Sequence, residues 1–384
     1  MNRRWVKRGL KLLPKSRIPG VQALIEVAGL SEETSLRPEA IGFRLGPRIN
    51  AVGRISDPQI VIDLLTTDDV GVALQRAMQC EEANQLRRQM CEIIEMQAVE
   101  WCEQQIEKGL LTLEKERVLI VVQPEWHHGV IGIVASRLVE RYGVPVFIGT
   151  YEDKSKKEIR GSARSIPEFN VFEALQFCDD LLDKYGGHRA AGGFSFQANK
   201  LRQVKSRLSN FARQHLQPEH LKPLVKIDVQ APLSAVNLDL FTQIDQIHPC
   251  GIENPEPVFW TAGAAVVEQK IIGKNSDHLK LTLSHRLPGE DRQSVVKAIA
   301  WRWGHYHPLP RRVDIGYKLR LNEWRGKRSV EIELVVVRAE RPSSESCIQP
   351  WTESPKQPQA SQTKKAVARN LRQEINKDTC HQNV

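Results

Sequence analysis

The chain has 384 residues, 41% hydrophobic and 26% charged, a balance that suits two or three globular domains. No run approaches the roughly 18 apolar residues of a membrane span. The basic N-terminal stretch "MNRRWVKRGLKLLPKSR" lacks the apolar segment and cleavage site of a signal peptide. The net charge of +9 and pI near 9.2 favour a polyanionic partner, nucleic acid or a phosphate-rich substrate. Seven cysteines at 80, 91, 102, 178, 250, 347 and 380 include no C-x-x-C pair. A zinc ribbon or disulfide framework is therefore not expected, and a reducing, cytoplasmic setting is.

In chain order, residues 1–65 read as a helix, a turn at Pro19-Gly20, a short helix over "VQALIEVAGL" and a glycine-punctuated loop, "GFRLGPRINAVGRISDP". Residues 66–109 contain no proline and read as one helix, capped by Thr67 or Asp68 and stopped by Gly109. It would span some 60 Å and act as a strut between domains. Cys80, Cys91 and Cys102 recur every eleven residues and fall on one buried stripe of it.

Residues 110–218 alternate strand and helix. The strands are "RVLIVVQ", "VPVFIGTY", "EIRGSARS" and "FSF"; the helices are "VIGIVASRLVERYG", "NVFEALQFCDDLLDKYG" and "LRQVKSRLSNFARQHL". Residues 219–340 are β in texture, with alternating Leu279, Leu281 and Leu283 and alternating Val330, Ile332, Leu334 and Val336. That suggests a small barrel or sandwich. Residues 341–384, rich in Ser, Gln, Pro and Lys, are expected to be disordered.

Four polar constellations stand out. Arg48, Asn50 and Arg54 sit between glycines, as either a phosphate clamp or a solvated turn. Trp126, His127 and His128 fall where a strand becomes a helix, a place whose free N–H groups favour an anion. Arg160, Ser162 and Arg164 share one face of an extended segment, as phosphate donors or as a plain basic edge. Gly186, Gly187 and His188 close the next predicted helix, with either glycine as its C′ residue. The last three of these, in one α/β domain, are each expected at a strand–helix junction, where such domains bind ligands. Trp260, Trp301, Trp303 and Trp324 lie among arginines and lysines in the β region. Stacking on single strands is one reading for them and core packing the other.

"LGPRINAVGR", "WHHGVIGIVASRL", "RGSARS", "KYGGHRAAGGF" and "PCGIENPEPVF" resemble, in order and spacing, successive motifs of the RecJ family of single-strand-specific DNA exonucleases, within the DHH phosphoesterase superfamily. The match runs from about residue 1 to 338. The resemblance implies an α/β domain of DHH-associated type carried on a long helix and followed by an OB-like β-barrel. Residues 1–65 would be the remnant of the catalytic DHH domain. It implies 5′→3′ hydrolysis of single-stranded DNA in recombination and repair, with Mn²⁺ or Mg²⁺ in the complete enzyme. It makes Arg48, Asn50, Arg54, Asn84, His127, Ser162, Arg164, Gly186, Gly187 and His188 substrate-binding candidates, with Arg87 beside Asn84. His188 is the candidate phosphoryl stabiliser, and Trp301 and Trp324 are the stacking candidates. No D-x-D or D-H-H occurs in this chain and Asp57 is its first aspartate. The metal centre is therefore expected elsewhere: on a separate chain carrying the DHH domain, in sequence missing from this gene model, or lost from a chain that binds single strands without cutting them.

Overall fold

The structure, a computed structural model, describes residues 2–339 except 33–35, 153–156, 222–224, 252–253, 274–275, 287–288, 290–292 and 325–326. The tail from 341, and the disorder expected there, lie outside the described residues, as does the side chain of Trp324.

An N-terminal helical lobe contains α1 (Asn2–Leu12), α2 (Pro19–Val27), α3 (Gly46–Ile55) and α4 (Gln59–Thr66), with a π-helical turn at Ala40–Leu45 leading directly into α3. The expected glycine-rich loop is therefore helical. Pro47 stands in the first turn of α3, where its missing N–H costs nothing. Ala51 and Val52 are fully buried, and that burial outweighs the helix-weakening effect of Gly46 and Gly53.

The strut is α5 (Val70–Glu107), about 57 Å long. Its cap is Asp69, whose side chain accepts from the Val72 N–H at 2.8 Å, rather than Thr67 or Asp68. Gly109, at φ +68°, supplies the left-handed exit. The cysteine stripe is buried throughout, and two different cores share it. Ala73, Ala77, Cys80 and Ala83 pack into the N-terminal lobe. Cys91, Ile94, Ala98 and Cys102 pack into the α/β domain. Between Ala83 and Cys91 the stripe turns polar, at Asn84 and Arg87.

The α/β domain opens with the short α6 (Leu113–Glu116) and holds a five-stranded sheet in the order β1 (Leu119–Gln123), β2 (Val146–Tyr151), β3 (Glu158–Arg164), β5 (Ala191–Gln197), β4 (Lys184–His188). Only β1 and β2 are parallel. Helix α7 (His128–Tyr142) packs on β2 and β3 on one face. On the other face, α8 (Val171–Gln176) and α9 (Leu201–His215) close over Phe147, Ile159, Phe194 and Phe196. The expected long helix through "NVFEALQFCDDLLDKYG" is cut short after Gln176, and "KYGGH" becomes the edge strand β4. Gly186 and Gly187 are therefore strand residues rather than a helix terminus. Tertiary pairing overrides the helical pattern here, because Lys184–His188 bonds along β5 while Tyr185 packs against the core.

The third core belongs to β7 (Phe259–Ile272), β8 (His278–His285), β9 (Ser294–Ala300), β10 (Arg312–Trp324) and β11 (Lys327–Ala339). These strands run β10-β11-β9-β8-β7, and β7 pairs back onto β10, closing a five-stranded barrel. The short β6 (Val229–Gln230) adds to β7, and α10 (Leu238–Asp245) precedes the barrel. Leu279, Leu281 and Leu283 all point into the core. On β11 the inward set is Ile332 and Leu334, after which the register shifts opposite Gly316/Tyr317. Val337, rather than Val336, then packs inward, since one extra residue exchanges the faces of a strand. The barrel meets the rest of the chain through Arg302–Glu140 at 2.8 Å and Arg37–Asp245 at 3.5 Å.

Candidate nucleic-acid interface

Alternation along β3 puts Ile159, Gly161 and Ala163 into the aromatic core and turns Arg160, Ser162 and Arg164 toward α7. The contact with α7 is close. A Cβ on Gly132 would come 2.9 Å from Ser162 Oγ and 3.0 Å from an Arg164 nitrogen. Arg164 donates to Ser162 Oγ at 3.0 Å and to the carbonyl of Ala163 at 2.7 Å. Arg160 shares their face but is paired with Glu152 at 3.1 Å.

His127 caps α7: its Nδ1 accepts the Gly129 N–H at 3.1 Å. The neutral ring therefore carries its proton on Nε2, which can donate outward at the positive end of the helix. His128 stacks on it with ring centroids 5.1 Å apart and is exposed. Burial, then Arg160 and His127, hold the His128 pKa below its ordinary value. Trp126 is 5% exposed and donates to Gln97 at 2.7 Å, so it anchors the turn rather than contacting ligand.

The last turn of α3 docks here. Arg54 donates to the Gly129 carbonyl at 3.1 Å, and a Cβ on Gly129 would lie 2.3 Å from the Arg54 carbonyl oxygen. Arg54 and Asn50, four residues apart, are exposed. Arg48 is corrected: it is 8% exposed, and its guanidinium forms an ion pair with Glu81 of α5 at 2.7 Å. It fastens α3 to the strut and is not available to a phosphate. Asn84 is corrected too. It is fully buried, so it cannot touch DNA directly; its Oδ1 accepts from Arg87 at 2.9 Å.

On the β5 side of β3, Gly193 and then Gly186 continue the row of Ser162, while Ala191 and then His188 continue the row of Arg164. All share the face of Arg164. His188 is exposed on the edge strand. Only one of the polar segments, at His127, lies at a strand–helix junction; Ser162, Arg164 and His188 are strand residues.

Arg54, on the Gly129 carbonyl, and Arg164, against Gly132, both meet the first turns of α7. Burial lowers the Arg164 pKa first and Arg54 next; for Arg87 the lowering again comes first from burial, followed by Arg88, Arg137 and Arg54. Among the described residues none of Arg54, Arg87 and Arg164 has a carboxylate partner. Arg137, near Arg87, and Arg160, on the strand face of Arg164, are paired with glutamates, whereas the exposed Arg88 has no ion pair among the described residues. Guanidiniums with only neutral acceptors, two of them partly buried, form a ready site for an anion.

The donors at this notch are cationic and fit phosphate oxygens, not a divalent metal. Among the described residues, one group of possible metal ligands is Glu39, His248 and Glu256, whose ligand atoms lie within 4.8 Å of one another. It sits where the N-terminal lobe meets the barrel, and Glu256 is already held by Arg320 at 2.8 and 3.1 Å and by Lys318 at 3.2 Å. No chemical step is derived through a metal here.

On the barrel, Trp301 is 49% exposed and packs edge-on against His278. Trp260 is buried, and Trp303 packs against the barrel core. Trp324 closes β10. The sequence reading passed over the exposed Tyr306, edge-on to Trp303; a lone tyrosine after "WRWGH" carries little signal.

Two family models match the chain: the DHHA1 domain over residues 115–214 and the RecJ OB domain over residues 227–335. Among curated relatives, the single-stranded-DNA-specific exonuclease RecJ of Bacillus subtilis is 30% identical over 334 residues, 86% of this chain and 41% of that protein. Escherichia coli RecJ is 31% identical over 321 residues, 82% of this chain and 53% of that protein. The crystal structure of Thermus thermophilus RecJ in complex with Mg²⁺ superposes with a TM-score of 0.70 at 28% identity, covering 89% of this chain and 49% of that one. Its Mn²⁺ complex gives the same score over 47% of its chain. The chain thus spans about half the length of the relatives it matches. A DHHA1 domain on a helical strut, followed by an OB-type barrel, is an architecture of the DHH phosphoesterase class. Within that class, the chain belongs to the RecJ family.

Proposed function

We propose that this chain is the substrate-gripping part of a RecJ-type exonuclease that digests single-stranded DNA 5′→3′ in cytoplasmic repair and recombination. One observation carries the reading: Arg54 and Arg164 meet at the first turns of α7, and among the described residues neither they nor Arg87 of the strut has a carboxylate partner. Arg54, Ser162, Arg164 and His127 bind phosphates beside the scissile bond, and the bare row at Gly186 and Gly193 lets the strand approach the sheet. His188, beside that row and two strands from Arg164, stabilises charge on the phosphoryl oxygens. Trp301 stacks a base further along the strand.

Two-metal hydrolysis requires carboxylates to hold the ions that activate water. Crystal structures of Thermus thermophilus RecJ contain Mg²⁺ or Mn²⁺, and in our reading the equivalent ions are held by a DHH domain. That domain would dock on the N-terminal lobe, where Trp5 (65% exposed) and Phe43 (74%) are open. A second reading is a single-strand-binding chain without nuclease activity, for which the cationic residues at α7 and the half-exposed Trp301 suffice.

Labelled oligo(dT) with Mn²⁺, in a nuclease assay and a parallel salt-titrated gel shift, tests these readings. Binding that weakens with salt, without cleavage by the chain alone, supports a gripping part. Cleavage restored by a DHH-domain chain selects the split enzyme, whereas binding with no cleavage under either condition selects the silent one. Absence of binding overturns both.

A further inference from the structure

The polar break in the strut stripe falls where the two lobes meet. Asn84 is fully buried there, and Arg87 lies one turn further along α5. The Asn84 Oδ1 accepts from Arg87 at 2.9 Å and is the one hydrogen-bond acceptor recorded for the Arg87 side chain among the described residues. The Asn84 Nδ2 and the Arg87 Nε are shielded from solvent and have no hydrogen-bond partner among the described residues. The charges acting on Arg87 include Arg88, Arg137, which is paired with Glu95, and Arg54, with the Cys91 thiol. A carboxylate at position 84 would satisfy Arg87 better than an amide does. The amide orients the guanidinium through one neutral bond and leaves its charge for a ligand.

We propose that Asn84 is a positioning residue that aims Arg87 at a DNA phosphate while keeping it uncompensated. The proposal rests on the reading of the notch at α7 as the phosphate site. It corrects the expectation that Asn84 itself contacts substrate.

The test uses the full chain and oligo(dT), with affinity measured across a salt series for Arg54→Ala, Arg164→Ala, Arg87→Ala, Asn84→Asp and the Asn84→Asp/Arg87→Ala double variant. Asn84→Asp is close to isosteric, and circular dichroism confirms that each variant folds. The expected result for Asn84→Asp is an affinity lower by about tenfold. The slope of log affinity against log salt falls by about 0.7, one phosphate contact on a single strand. In the Arg87→Ala background the same change is expected to have no further effect, because Asn84 acts through Arg87. A wild-type slope for Asn84→Asp, or a loss that persists undiminished without Arg87, overturns the positioning role. If Arg54→Ala and Arg164→Ala also bind as wild type, the notch is not the DNA site and both the reading and the inference fall.

Discussion

Arg164 and His188 occupy one row of the five-stranded sheet: Arg164 pairs with Ala191 on β5, and Ala191 pairs with His188 on β4. Two strand spacings put their Cα atoms about 10 Å apart. In the adjacent row, Ser162 is followed by Gly193 and Gly186, with no side chain beyond Ser162. A cation and an imidazole thus flank Ala191 in one row, beside a bare strip of backbone in the next, the geometry expected of a shallow phosphate-binding cleft.

That strip separates ligand access from folding. A Cβ on Gly186 meets nothing within 4 Å, and one on Gly193 meets only the Gly161 carbonyl at 3.9 Å. Gly186→Ala and Gly193→Ala should change stability by less than about 1 kcal/mol while lowering oligo(dT) affinity severalfold. Gly187, at φ +146°, would place a Cβ 2.3 Å from the Ala191 carbonyl oxygen. Gly187→Ala should therefore lose stability by about 2 kcal/mol or more. Thermal melts and gel shifts on the three variants check the contrast.

Arg48 should behave differently from Arg54. Removing Arg48 leaves Glu81, only 21% exposed, without its cation. Arg48→Ala is expected to cost about 3 kcal/mol in denaturant melts. Arg54→Ala, at an exposed position, should barely alter the melt and should weaken DNA binding instead.

Trp301→Ala should reduce single-strand affinity by about tenfold, the value of one stacked base, without moving the melting temperature. The side chain is half exposed. Fluorescence quenching by oligo(dT) that disappears in the variant would identify it as a stacking residue; unchanged affinity and quenching would exclude it.

Glu256 links stability to pH. Burial opposes its charge, but hydrogen bonds from Arg320 and Lys318 outweigh that and hold its pKa below the ordinary value. A depressed carboxyl pKa contributes stability that is complete above the unfolded value, near 4.3. It is lost as pH falls through the lower folded value. Stability should therefore drop on acidification below about pH 4.3, and Glu256→Gln should flatten that drop while destabilising the chain at neutral pH.

The buried thiols should be inert. Burial pushes Cys80 and Cys102 to about 11 and Cys178 to about 12. Iodoacetamide at pH 7.5 followed by peptide mapping should leave these three unmodified in the native chain, with Cys250, partly exposed, reacting first among the five described cysteines.

Much of the architecture was legible in sequence because it depends on local repetition. The continuous apolar run at Leu119–Gln123, the alternation of Leu279, Leu281 and Leu283, and the eleven-residue cysteine spacing each report a period that burial demands. Motif order carried the family, and strand alternation alone placed Ser162 and Arg164 on one face. Tertiary structure decided what local pattern leaves open. "GPRINAVGR" is a helix because its apolar side packs on α5, and that packing buries Arg48 against Glu81 while exposing Arg54. "DKYGGH" is a strand because distant β5 supplies its hydrogen bonds. Asn84 looks like a ligand-facing polar residue until the meeting of two cores encloses it. Each of these outcomes depends on a partner far along the chain, and the free energy of pairing and burial with that partner exceeds the small local preferences a sequence displays.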